Sequence, residues 1–99
     1  MSKLKLNITE QAKADITLIT EYIAKDNKQS AKSMAMYLYK VCSDLAKFPE
    51  MGTARPDFTY KNYRFFIVKK RYIIAYTIDG NNLFISRVLT TYQDICVLL

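Results

Sequence analysis

A strict alternation of polar and apolar residues opens the chain, over residues 3–8. Side chains in a strand point to opposite faces in turn, so this period of two predicts a first strand with one buried face. The residues predicted to point inward are Leu4, Leu6 and Ile8. The first element of the fold is therefore expected to be a strand that lies against the core.

Two helices are predicted to follow this strand, because the apolar spacing changes to three or four residues, the spacing of one helix face. The first stripe comprises Ile8, Ala12, Ile16, Ile19 and Ile23. Thr9 is placed to cap this helix, and Asp15 to put negative charge near its positive end. After a polar turn at residues 26–29, a second helix is expected to end at Pro49 and Gly52. Its stripe comprises Ala31, Met34, Ala35, Leu38, Val41, Cys42, Leu45 and Phe48.

The second half of the chain predicts a three-stranded antiparallel meander, because three runs rich in β-branched and aromatic residues are separated by short polar turns. These runs span residues 63–67, 71–78 and 83–88. The last turn contains Asp79-Gly80, and glycine supplies the positive φ that a tight hairpin requires. Residues 49–62 carry both prolines and are predicted to form a connecting loop.

The predicted fold class is α+β, with an N-terminal strand and an α-helical hairpin before a three-stranded antiparallel meander. A chain of 99 residues suits a single domain, residues 1–99, with a modest core. Residues 92–99 form an apolar tail, for which the sequence leaves open a short helix, an extra strand or a segment that binds a partner.

The net charge, the cysteines and the lengths of the apolar runs indicate which kinds of partner, cofactor and location to expect. Lys and Arg number 15 against 9 Asp and Glu, a formal charge of +6, which favours nucleic acid, an acidic protein or an anionic surface as a partner, although solubility alone also explains it. Cys42 and Cys96 lie in apolar surroundings without a Cys or His cluster, so we predict no metal, no cofactor and no disulfide framework. No apolar run reaches the length of a membrane helix, and we expect a cytoplasmic protein that does not contact membranes.

Five short motifs, in this order along the chain, resemble the RelE/ParE toxin superfamily and especially its ParE branch. They are Ala14-Asp15-Ile16 with Tyr22-Ile23-Ala24, residues 45–52, Tyr63-Arg64, residues 72–76 and residues 85–89. The resemblance implies the toxin of a type II toxin–antitoxin module, neutralised by a ParD-like or other small antitoxin. It also implies two competing mechanisms, since ParE-like members inhibit DNA gyrase whereas RelE-like members cut mRNA on the ribosome.

The residues favour the gyrase inhibitor. RNA cleavage needs proton-transfer groups and cations for the phosphorane charge, yet the chain has no histidine, and it has Ile73 where the RelE branch typically has arginine. We therefore predict that the protein is not an enzyme. If it is instead a RelE-like endoribonuclease, its candidate catalytic residues are Arg64, Arg87 and Tyr92. Outside the family, a basic nucleic-acid-binding regulator is the remaining alternative, for which neither helix offers a dense basic face.

Three arginines in or beside the meander are the predicted target-binding residues. They are Arg64, Arg71 and Arg87. If Arg64 and Arg87 share an exposed sheet face, their guanidinium groups can bind phosphate or carboxylate through two donors. The equally weighted alternative is that each arginine pairs with a carboxylate of its own fold, such as Asp79 or Asp94. Residues 69–71 are predicted to form a solvated turn.

The central strand of the meander is apolar on both faces. Because successive side chains of a strand point to opposite faces, one face carries Tyr72, Ile74 and Tyr76, and the other carries Ile73 and Ala75. A helical hairpin can cover only one face, so the uncovered face is a candidate antitoxin site, and we assign Tyr72, Ile74 and Tyr76 to antitoxin binding. The alternative is that both tyrosines are buried and hydrogen-bonded in the core.

Overall fold

The computed structural model describes residues 3–55 and 62–91, and it confirms the predicted α+β class. The elements are β1 (Lys5–Ile8), α1 (Glu10–Ala24), α2 (Lys28–Lys47), a 3-10 helix (Pro49–Met51), β2 (Thr53–Ala54), β3 (Arg64–Val68), β4 (Tyr72–Asp79) and β5 (Asn82–Thr90). The strands form one sheet in the order β1-β5-β4-β3-β2. β1 runs parallel to β5, and the other neighbours are antiparallel.

The predicted connecting loop after α2 is corrected by this structure. Residues 49–55 contain the 3-10 helix and β2, and β2 pairs with β3 through Thr53 opposite Phe65. A two-residue strand has no readable period, which is why the sequence pattern missed it. The rest of the predicted loop, residues 56–61, lies outside the described residues, as does the apolar tail at 92–99 with Tyr92 and Cys96.

Both helices begin at a side-chain cap. The hydroxyl of Thr9 accepts a hydrogen bond from the amide of Ala12 at 3.1 Å, as predicted. The side chain of Asn27 accepts one from the amide of Ser30 at 3.0 Å. Phe48, predicted to close the α2 stripe, is instead 57% exposed, because it leaves the helical conformation at the C-cap directly before Pro49.

The helical hairpin packs on one face of the sheet and forms the main core. Its buried members are Ala12, Ile16, Leu38, Val41, Cys42, Leu45, Val68, Tyr72, Ile74, Tyr76, Leu83, Ile85 and Val88. Leu4, Leu6 and Ile8 of the N-terminal segment pack against this cluster, as the alternation predicts. Burial raises the pKa of the Cys42 thiol to about 12, so this cysteine stays protonated and acts as a small hydrophobic residue. A second, smaller buried cluster comprises Phe65, Ile73, Ala75 and Leu89.

A β-bulge in β5 changes which of its side chains face the helices. Ala75 of β4 lies opposite Arg87, but the next residue, Tyr76, lies opposite Ile85, so Ser86 is an extra residue in β5. Ile85 and Val88 consequently both enter the main core although they are three positions apart. The predicted Asp-Gly hairpin joins β4 to β5, and Gly80 has the expected positive φ, +60°.

Tyr76 connects the middle of the sheet to the 3-10 helix. Its side chain is fully buried. The hydroxyl donates to the carbonyl of Pro49 at 2.5 Å and accepts from the amide of Gly52 at 2.9 Å. Burial is the main reason that the pKa of this phenol is raised. A neutral tyrosine thus holds the chain after α2 to the sheet. Tyr76 is buried and hydrogen-bonded in the core, which is the alternative that the sequence left open.

We expect Gly52→Ala to destabilise the protein by about 1–3 kcal/mol, the usual cost of overpacking. A Cβ atom on Gly52 would lie 2.4 Å from the Tyr76 hydroxyl oxygen and 2.9 Å from the Phe65 carbonyl oxygen. Urea unfolding followed by circular dichroism measures the effect. Gly80→Asn is the matched control, because asparagine tolerates positive φ and no atom lies within 4 Å of the added Cβ. Equal stability of the two variants would contradict this packing.

Candidate functional site

A buried ion pair joins α1 to β5. Asp15 of α1 is only 6% exposed. Its Oδ2 lies 2.8 Å from Nε of Arg87, and its Oδ1 lies 3.0 Å from Nη2 of the same guanidinium. The amide of Val88 also donates to Asp15 Oδ2, at 3.0 Å. The hydrogen bond to Asp15 is the main cause of the raised pKa of Arg87, so the guanidinium stays charged, and its contact with the carboxylate is bidentate.

This pairing corrects two expectations from the sequence. Among the described residues, the carboxylate that binds Arg87 is Asp15 and not Asp79, whereas Asp94 lies outside them. Asp15 also does more than place charge near a helix end. The signal for its role was present in the pattern, since Asp15 lies on the buried side of α1, beside Ala12 and Ile16. A charged side chain on a buried helix face requires a partner, but the spacing does not show which cation supplies it.

Arg64 is also engaged by the fold. Its Nη1 donates to the carbonyl of Gly52 at 2.8 Å, and the residue is half-buried opposite Tyr76. Arg64 and Arg87 therefore point to separate anchors, Gly52 and Asp15. The shared exposed face on which the target-binding prediction for this pair depended is not formed.

Arg71 differs from the other two arginines because it is exposed, at the end of the turn between β3 and β4. Lys69 and Lys70 before it both have positive φ, 52° and 59°, and the amide of Arg71 donates to the carbonyl of Val68 at 3.1 Å. The left-handed conformation costs a non-glycine residue about 1–2 kcal/mol. The predicted solvated turn is therefore present, and it is strained at two lysines.

Arg71 and Tyr72 contribute to a groove, the α1–sheet groove, with a cavity volume of about 790 Å³. It lies between α1, the α1–α2 turn and the ends of β4 and β5. Its lining residues are Asp15, Leu18, Ile19, Tyr22, Ile23, Asp26, Asn27, Ser30, Arg71, Tyr72, Val88 and Thr90. Leu18 and Tyr22 are 66% and 73% exposed, and the amine of Lys25 lies 5.8 Å from the centre of the Tyr22 ring. The groove thus combines exposed apolar walls with a few charged groups.

The residues assigned to antitoxin binding lie in the main core. Tyr72 is 5% exposed, and Ile74 and Tyr76 are fully buried. The helical hairpin covers their face of the sheet, so the surface expected there is not accessible. Of the three, Tyr72 also lines the α1–sheet groove, where its remaining exposed surface can be reached.

The residues expected of a nuclease are not assembled in the described part of the chain. Arg87 is bound by Asp15, Arg64 by Gly52, and Ile73 is 2% exposed in the second cluster. Tyr92 lies outside the described residues. Over residues 3–55 and 62–91, no group of three His, Cys, Asp or Glu side chains is arranged to bind a metal ion. Neither described helix has the length and hydropathy needed to span a membrane.

We expect Arg87→Met to lower the free energy of unfolding by about 3–5 kcal/mol, because it leaves the Asp15 carboxylate buried without its cation. Arg71→Met is the matched control at an exposed arginine and should change stability by less than about 0.5 kcal/mol. Urea unfolding at neutral pH compares the two. If both variants unfold at the same urea concentration, Arg87 does not stabilise the fold through Asp15.

The chain matches the family model described as ParE toxin of type II toxin-antitoxin system, parDE, over residues 6–95. A chain from the chromosomal ParDE TA system of P. aeruginosa has the same fold, with a TM-score of 0.75 and 18% identity over 89% of this chain and 96% of that chain. At this identity the likeness shows the fold alone.

The solution structure of a conserved hypothetical protein from Helicobacter pylori aligns with a TM-score of 0.48 and 16% identity, over 91% of this chain and 97% of that chain. This structural overlap is too low to carry an argument. No curated protein matches the chain significantly. The family model, however, spans almost the whole sequence, from the second residue of β1 to beyond the end of β5. The chain therefore belongs to the ParE toxin family of type II toxin–antitoxin systems.

Proposed function

We propose that this protein is a cytoplasmic toxin that arrests growth by inhibiting DNA gyrase, and that a cognate antitoxin neutralises it. Its membership of the ParE family supports a toxin of this kind. An inhibitor acts by binding its target and requires no group that breaks a bond. A small basic domain of 99 residues with a charge of +6 is suited to binding a gyrase–DNA complex through its surface.

The observation that favours inhibition over mRNA cleavage is the ion pair between Arg87 and Asp15. A catalytic arginine must turn its donors toward the reacting phosphate, but two nitrogens of Arg87 lie 2.8 Å and 3.0 Å from the Asp15 carboxylate. Releasing the guanidinium would leave a buried carboxylate unpaired, at a cost of about 3–5 kcal/mol. Arg87, one of the two arginines that are candidates for nuclease chemistry, is thus bound by a carboxylate of the fold.

Arg71 is the predicted target-binding arginine whose position best suits that role. It is exposed in a turn, whereas Arg64 is half-buried and Arg87 is paired. A planar guanidinium at an exposed site can bind a carboxylate or phosphate of the target through two donors. We therefore assign target binding to Arg71 and a structural role to the other two.

The antitoxin is proposed to bind in the α1–sheet groove. Its walls present Leu18 and Tyr22 to solvent, and an amphipathic helix of a partner can bury such apolar residues. Arg71 at one side of the groove can pair with a carboxylate of an acidic antitoxin. Because Arg71 lines this groove and also belongs to the turn between β3 and β4, antitoxin binding there would also cover the residue assigned to the target. This overlap provides a direct means of neutralisation.

The proposal predicts that the purified chain inhibits supercoiling by gyrase and traps cleaved DNA. Arg71→Met should weaken inhibition at least about tenfold, the effect of losing roughly 1.4 kcal/mol of binding. Lys47→Met is the matched control, since Lys47 is an exposed cation at the end of α2, and it should inhibit like the wild type. Gel assays of plasmid supercoiling and cleavage give both readouts.

Mapping of mRNA ends after induction in cells tests the nuclease alternative at the same time. Growth arrest with inhibited gyrase and intact mRNA agrees with the proposal. Codon-linked cuts in mRNA with unaffected gyrase would contradict it and would favour the RelE-like reaction. Co-expression with the small protein encoded beside the toxin gene should restore growth if that protein is the antitoxin.

A further inference from the structure

We propose that the turn formed by Lys69, Lys70 and Arg71, the basic turn, binds the phosphate backbone of duplex DNA. The choice of duplex DNA rests on the proposed function, because DNA is the substrate of gyrase. The inference is motivated by two independent features of these three residues: the conformation of their backbone and the surroundings of their charges.

The backbone of the basic turn does not suit its residues. Both central positions have positive φ, 52° at Lys69 and 59° at Lys70, and the turn is closed by the hydrogen bond from the Arg71 amide to the Val68 carbonyl. Such turns favour Asn-Gly, because these residues adopt positive φ readily. The backbone conformation is therefore unfavourable for both lysines, and strain of this kind is a feature of functional sites.

The charges of the basic turn are concentrated, and none of them forms an ion pair with a carboxylate among residues 3–55 and 62–91. All three residues are exposed. The ion pairs formed among the described residues involve other cations, Lys13, Lys40 and Arg87. The amine of Lys69 lies 4.7 Å from the centre of the Tyr37 ring on α2, a cation–π contact that holds this lysine while leaving its charge in place. Three positive charges on consecutive residues form a compact site for a polyanion.

The location of the two lysines favours nucleic acid over an acidic protein. Arg71 lines the α1–sheet groove, but Lys69 and Lys70 do not. Protein partners gain much of their affinity from apolar anchors that fill pockets, and the two lysines lie outside the groove that offers them. Binding to DNA phosphates requires only accessible cations, since its free energy comes from release of counterions.

The test is the binding of the purified protein to a labelled duplex of about 20 base pairs, measured by fluorescence anisotropy over about 50 to 200 mM salt. In the variant Lys69→Asn, Lys70→Gly, two phosphate contacts are lost. The slope of log K against log salt should therefore decrease by about 2, and binding should weaken at least about tenfold. The same variant should melt about 5 °C higher, because its turn residues accept positive φ.

Two control variants separate local contact from net charge. The variant Lys3→Gln, Lys5→Gln removes the same amount of charge at a distant site. Lys5 lies opposite Asn82, which pairs with Asp79 at the end of β4 that is remote from the basic turn. This variant should keep the wild-type slope. Lys69→Arg with Lys70→Arg retains both charges and should bind as tightly as the wild type.

The proposal is overturned if the wild type does not bind DNA, if Lys69→Asn, Lys70→Gly binds unchanged, or if the Lys3 and Lys5 variant loses as much affinity. It is also overturned if the protein binds labelled polyglutamate more tightly than DNA at equal charge concentration, which would indicate an acidic protein as the partner. The assay contains no gyrase. If the protein binds DNA but does not inhibit gyrase, only the proposed target is contradicted. If it inhibits gyrase but does not bind DNA, only the proposed role of the basic turn is contradicted.

Discussion

The arrangement of this fold depends on the buried ion pair between Asp15 and Arg87. Removing two charges from water is costly, and the cost is offset only when geometry is good and the remaining acceptors are satisfied. Here the carboxylate binds the guanidinium through both oxygens and also accepts the amide of Val88. A single side chain on α1 thus holds both a side chain and the backbone of β5.

The bulge at Ser86 makes this contact possible. It places Ile85 and Val88 in the core while Arg87 reaches α1 from the same stretch of β5. Thr9 reinforces the attachment at the start of α1, where its amide lies 3.2 Å and its hydroxyl 2.9 Å from the carbonyl oxygen of Ile85. The bulged part of β5 is therefore the common point to which the cap and the carboxylate of α1 both bind.

A second polar contact has the same character on the other side of β4. Tyr76 binds the amide of Gly52, and Arg64 binds its carbonyl. These two side chains, of types that often act in catalysis or binding, therefore hold the chain after α2 to the sheet. The groups that we propose for recognition lie at the surface, in the basic turn and in the α1–sheet groove. This division between structural and exposed polar groups is what separates the proposed inhibitor from a nuclease built on a similar sheet.

Periodicity predicted the elements that bury one face, because local spacing is enough to define them. β1 and the stripe on α1 were predicted for this reason, whereas the Thr9 cap and the Asp-Gly hairpin were predicted from residue types that suit a helix start and a tight turn. The pairing of Arg87 could not be read in the same way, since its partner lies 72 positions earlier in the chain. The sequence did not predict the bulge either, because the extra residue is Ser86 and not a glycine, which often marks a bulge. The bulge changes which residues of β5 face the helices, and the placement of Arg87 on an exposed face had assumed regular alternation.

A double-mutant cycle with Asp15→Asn, Arg87→Gln and the combined variant tests most directly whether this ion pair holds the fold together. Urea unfolding of the four proteins yields the coupling free energy, which excludes effects that each substitution has alone. We predict a coupling of about 2 kcal/mol or more, in the range measured for residues that share a hydrogen-bonded network. A coupling below about 0.5 kcal/mol, the value typical of independent sites, would show that Arg87 and Asp15 do not stabilise one another.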